Sequence, residues 1–108
     1  MKAAGRIAGI TDQTIVDQFR WYDAERIILF GSHARGAPAA DVDVVLIKVT
    51  AERFLDRLKR VYERWDLPVA VDILVYTPAE WERMLEEERG FVLRIVKDGR
   101  EIYARSER

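Results

Sequence analysis

Apolar positions along the chain alternate between helical and strand spacing, and each switch marks an element. From Asp12 to Asp23, Ile15, Val16, Phe19 and Tyr22 fall at i, i+1, i+4 and i+7. That is one apolar face of a helix, with Thr11 or Asp12 as its N-cap. Arg26 to Phe30 (RIILF) is a continuous β-branched and aromatic run that stops at Gly31, the pattern of a buried strand. Residues 31–40 punctuate as a turn region with one helical turn around Ala34. Val42 to Val49 predicts a second strand. Ala51 to Trp65 predicts a long helix with Thr50 as N-cap and one stripe of Phe54, Leu55, Leu58, Val61, Tyr62 and Trp65. Asp66-Leu67-Pro68 breaks it.

Val69 to Tyr76 (VAVDILVY) predicts a third strand. Thr77-Pro78-Ala79-Glu80 then combines an N-cap Thr, Pro at N1 and Glu at N3, a capping box. The helix it opens turns Trp81, Met84 and Leu85 inward and stops near Gly90. Phe91 to Val96 predicts a short helix, and Asp98-Gly99 turns the chain into a last strand, Glu101 to Ala104. The expected fold class is α/β (α+β), a small mixed sheet with helices packed on it, spanning residues 1–108 as one domain. Trp65 and Trp81 fall at core-facing positions. Trp21 lies off its helix's stripe and reads as a widened core face rather than a partner patch. The mixed-charge run Glu82 to Arg89 reads as a solvated helix face.

Composition narrows the functional classes. The formal net charge is −1 and both signs are interleaved, so no broad basic field points to nucleic acid. The chain has no cysteine, which removes disulfides, thiolate metal sites and cysteine nucleophiles and fits a cytoplasmic protein. The N-terminus MKAAGRIAGITDQ has no apolar run long enough for a signal peptide, and no other stretch is long enough to span a membrane.

One stretch resists a purely structural reading. The second strand opens Asp41-Val42-Asp43, and alternation places both carboxylates on one face with Cα atoms roughly 6.6 Å apart. Two carboxylates so placed can lean toward a shared point and hold one or two Mg²⁺ ions, which take hard oxygen ligands and leave places for substrate phosphates. Asp72 interrupts the apolar VAVDILV, where a carboxylate is costly unless paired or bound to metal. Beside the second strand it would complete a triad, one member of which can take a proton from an attacking hydroxyl. Gly31 and Ser32 end the first strand. A small residue there admits a phosphate close to the backbone, and the Ser hydroxyl and adjacent N–H groups would bind its oxygens. Arg35 would add a charge-assisted contact, against a surface ion pair as its bland alternative. His33, the only histidine, reads as a turn residue rather than a general base.

"ILFGSHARG", followed by "DVDVVLI" and later "VDILV", resembles the minimal nucleotidyltransferases (MNT domains) of the DNA polymerase β-like superfamily. "FVLRIVKDGREIY" looks like that family's closing helix and strand. The resemblance implies transfer of a nucleoside monophosphate, AMP from ATP, to a hydroxyl, with release of pyrophosphate. It implies Asp41, Asp43 and Asp72 as the Mg²⁺-binding and catalytic carboxylates, and Gly31 and Ser32 as the phosphate-binding turn. It also implies a HEPN-domain toxin as partner, with this chain as an antitoxin that adenylylates a tyrosine of it. The loop from Ser32 to Asp41 holds eight residues, His33 to Ala40, and is shorter than the family usually carries. A catalytically weak or inactive antitoxin that neutralises its partner by binding alone is therefore the second reading. Transfer to RNA or to a small molecule is a third. It is disfavoured by the lack of a basic patch and of a second domain.

Overall fold

A computed structural model describes residues 10–31 and 41–105. The elements follow in the order α1 (Asp12–Gln18), a 3₁₀ turn (Arg20–Tyr22), β1 (Arg26–Phe30), β2 (Asp41–Ile47), α2 (Phe54–Glu63), β3 (Ala70–Tyr76), α3 (Pro78–Glu86), α4 (Gly90–Asp98) and β4 (Arg100–Ala104). The strands form one mixed sheet in the order β3-β2-β1-β4. β1 pairs antiparallel with β2 and β4, whereas β2 and β3 run parallel, joined through α2. The mixed α/β architecture is the one the residue pattern predicts.

Strand alternation sorts the core into two layers. Ile27, Leu29, Val42, Val44, Leu46, Ile73 and Val75 face α1 and α2. Ile28, Val45 and Ile47 face α3 and α4, where Trp81, Met84, Val92 and Ile95 cover them.

Three expectations about helices change. The first helix is shorter: α1 ends at Gln18, the chain tightens into the 3₁₀ turn, and Asp23 takes a left-handed conformation with φ 59°. The tightening still buries Tyr22, and Trp21 packs on the core edge with the Arg64 guanidinium 4.2 Å from its ring centroid. In α2 the first helical residue is Phe54, not Ala51. The Thr50 hydroxyl accepts from the Glu52 N–H in a turn before the helix instead of capping it. Leu55 is 74% exposed although the stripe placed it inward, and Arg57 is buried at 5% exposure instead. The guanidinium wins that position because each partner it needs is present. Its Nε donates to the Glu52 carbonyl at 2.8 Å, Nη1 to the Val75 carbonyl at 3.1 Å, and Nη1 and Nη2 grip Glu80 at 2.8 and 3.1 Å.

The capping box of α3 forms as expected: the Thr77 hydroxyl accepts from the Glu80 N–H, and Glu80 accepts from the Thr77 N–H at 2.9 Å. Glu80 thus caps its own helix with one oxygen and holds Arg57 with both. Trp81 is buried in the core, and Trp65 packs on its edge against Phe19 with ring centroids 5.6 Å apart. Among the described residues no helix is long and apolar enough to cross a membrane.

Candidate active site

Asp41 and Asp43 are on the strand face they share with Val45 and Ile47, the face covered by α3 and α4. Exposure rises along it: Ile47 and Val45 are buried, Asp43 is half-buried and Asp41 is exposed. On β3, Asp72 shares its face with Leu74 and Tyr76, which pack on the same layer. The parallel register aligns Asp43 with Asp72. The structure therefore brings Asp72 beside the Asp41–Asp43 pair on one face of neighbouring strands.

The electrostatics follow from that crowding. Burial raises the Asp43 carboxyl from its ordinary 3.8 to about 6, helped by a hydrogen bond to Asp72 and by the charges of Asp72 and Asp41. Below that pH Asp43 holds a proton. Above it, the Asp43 carboxylate lies beside Asp72, with none of the ion pairs among the described residues reaching either.

Gly31 follows β1 directly, and its neighbour Phe30 is in register with Asp43. Its φ is +76°, a conformation that favours glycine, and a Cβ there would run into Asp43 Oδ2. The glycine leaves room for the Asp43 carboxylate against the end of β1. Ser32 and Arg35, expected at the phosphate-binding turn, and His33 lie outside the described residues.

A divalent cation fits this donor set. The oxygens are hard and anionic, they gather on one face, and Asp43 titrates high because burial, and then the neighbouring Asp72 and Asp41, disfavour its charged form. Among the described residues no three side chains already stand in a metal-binding cluster. The Asp43–Asp72 pair is the formed part, and Asp41 acts on it through its charge.

Two features were not anticipated from the sequence. The Tyr62 hydroxyl accepts from the Ile73 N–H at 2.7 Å, which ties α2 to the backbone next to Asp72 on the edge strand. Tyr62 had been counted as a core stripe residue, and its polar tip was the overlooked signal. Beside Gly31, α4 forms the wall of a cleft with Phe91, Arg94 and Asp98. Their spacing at i, i+3 and i+7 was legible, but what that face would meet was not.

Comparison with known proteins agrees with this geometry. A family model for the nucleotidyltransferase domain matches residues 13–103. No curated protein sequence matches the chain. Among solved structures, an inferred nucleotidyltransferase from Sulfolobus solfataricus superposes with a TM-score of 0.57 at 21% identity, covering 87% of this chain and 77% of the other. A toxin-antitoxin structure with AMP-PNP superposes with a TM-score of 0.55 at 16% identity, covering 90% of this chain and 76% of the other. At these identities the two structures share the fold, while the family match takes in both the Asp41-Val42-Asp43 strand and Asp72: the chain belongs to the nucleotidyltransferase domain family.

Proposed function

We propose that this protein is a Mg²⁺-dependent nucleotidyltransferase that moves AMP from ATP to a hydroxyl of a partner protein, as an MNT-type antitoxin acting on a tyrosine of a HEPN toxin. The carrying observation is the register of Asp43 with Asp72 on parallel strands, with Asp41 on the same face and Gly31 making room for Asp43. The partner reading is supported by the toxin-antitoxin structure with AMP-PNP, which shares this fold.

In this reading Asp41, Asp43 and Asp72 hold the metal, and bound Mg²⁺ supplies charge neutralisation for the phosphates. Gly31, with Ser32 and Arg35, receives the triphosphate. The acceptor oxygen attacks the α-phosphorus, the bond to the bridging oxygen of pyrophosphate breaks, and the hydroxyl proton passes to a carboxylate, for which Asp72 is the best placed.

The test incubates the protein with native-host lysate, Mg²⁺ and ATP labelled at either the α- or the γ-phosphate, with an Asp41→Asn/Asp43→Asn variant as control. A band labelled only from the α position and lost in the control is the expected result, and its mass identifies the acceptor. Absence of label together with absence of Mg²⁺·ATP binding would leave the second reading, neutralisation of the partner by binding alone. The short Ser32–Asp41 loop and the open carboxylate set favour that alternative.

A further inference from the structure

The face of α4 that carries Phe91, Arg94, Ile95 and Asp98 looks onto Phe30 and Gly31, and together they line a cleft of about 150 Å³. Ile95 is its buried floor, and Phe91, 40% exposed, stands edge-on to Phe30 with ring centroids 6.1 Å apart. The wall is fixed in place. Gly99 ends α4 so close to the Leu29 and Ile95 carbonyls that any side chain there would collide with them. Arg94 and Asp98 both enter the cleft exposed, and neither takes part in an ion pair among the described residues.

Position across the sheet gives this cleft a direction. Strand order places Asp72 on β3, Asp43 on β2, Gly31 at the end of β1, and the cleft beyond Gly31 under α4. A triphosphate whose reacting phosphorus lies at the carboxylates and whose chain passes the Gly31 turn delivers its outer phosphates to Arg94. The nucleoside hangs from the reacting phosphorus and stays on the other side of it. We propose that Arg94 is a substrate-binding residue that grips the terminal phosphates of the nucleoside triphosphate and stabilises the departing pyrophosphate. Asp98 opposes that charge and keeps the cleft from holding phosphate tightly. The inference rests on the nucleotidyltransferase reading of the carboxylate site.

Calorimetric titration of the full chain with Mg²⁺ present tests it, with inorganic tripolyphosphate, ATP and AMP as ligands. Arg94→Ala should weaken tripolyphosphate and ATP about tenfold, the effect of one lost charge-assisted contact, and leave AMP unchanged. Arg94→Lys should restore part of the loss. Asp98→Asn should tighten tripolyphosphate by roughly threefold, because it removes a like charge. Both side chains are exposed, so the variants should fold, which circular dichroism checks. Loss of AMP binding in Arg94→Ala with tripolyphosphate unaffected would make the cleft a nucleoside site and overturn the inference. Weaker binding in Asp98→Asn would do the same, since that carboxylate would then be accepting sugar or base hydrogens. If the wild-type protein binds none of the three ligands, the carboxylate reading falls too. If ATP binds and is lost in Asp41→Asn/Asp43→Asn but not in Arg94→Ala, only the role of Arg94 falls.

Discussion

Two charged groups removed from water lie along β3, and they are treated in opposite ways. Near its C-terminal end Arg57 is buried with each guanidinium nitrogen hydrogen-bonded: to the Glu52 and Val75 carbonyls and to both oxygens of Glu80. Near its N-terminal end Asp43 is half-buried against Asp72 and Asp41, three like charges with no cation among the described residues to balance them. The first arrangement is closed. It needs nothing further and ties α2, β3 and α3 together. The second is open, and a positive ligand would lower its energy. A charge completed by its own fold reads as structural, whereas a charge cluster that the fold leaves uncompensated marks a site.

The contrast breaks most sharply at Asp43. Asp43→Asn keeps the shape of the side chain and removes its charge. In the proposed reaction it should cut labelled-AMP transfer on the order of 10³-fold, because a metal ligand supplies several kcal/mol of transition-state stabilisation. The variant should remain folded. Transfer at the wild-type rate would end the metal-site reading.

Arg57→Ala should show the reverse profile. It strands Glu80 and the Val75 carbonyl, so unfolding in urea should show a loss of about 3 kcal/mol, the scale for breaking a buried pair. Arg57→Met replaces the stem without the charge and should be less damaging only if Glu80 is changed with it. If Arg57→Ala is neutral, the closed network contributes nothing and the comparison loses one of its sides.

Gly31→Ala joins the two effects. An alanine held at φ +76° costs roughly 1 kcal/mol, and its Cβ would push aside the Asp43 carboxylate. The expected result is a small drop in unfolding free energy with a disproportionate loss of transfer. Equal losses in both would mean that Gly31 serves the turn alone.

Legibility in the sequence divides along the same line. Strands, capping box and carboxylate face were all readable, because period-2 alternation fixes which side chains share a face and Asp-Val-Asp leaves them no choice. The pairing of Asp72 with Asp43 was a conditional statement until the strand order was known, since register across a crossover is set by packing rather than by local pattern. Arg57 was not readable. A basic residue on an amphipathic helix looks solvated until its partners arrive from elements about twenty residues away, and the same packing leaves Leu55 outside. The cleft on α4 failed for the same reason: its helical spacing was present, but its opposite wall, Phe30 and Gly31, came from a distant strand.

The smallest expected effect tests the open site without any substrate. Asp43 titrates at about 6 in the folded protein against an ordinary 3.8, so the folded state holds a proton that the unfolded chain gives up. Its contribution to stability is fully present below the unfolded value and is lost as pH rises through about 6. Glu80, whose carboxyl Arg57 pulls below the usual range, acts with the opposite sign and loses its contribution as pH falls. The total profile mixes both, so the difference between wild type and Asp43→Asn isolates the first. In metal-free buffer the two melting temperatures should move apart as pH rises, with the Asn variant the more stable by a few degrees at about pH 8. Added Mg²⁺ should close that gap by raising the wild type alone, because only the wild type keeps the Asp43 negative charge that a divalent cation would offset. A gap that is absent, or that Mg²⁺ leaves unchanged, would mean that Asp43 is held by the fold as firmly as Arg57.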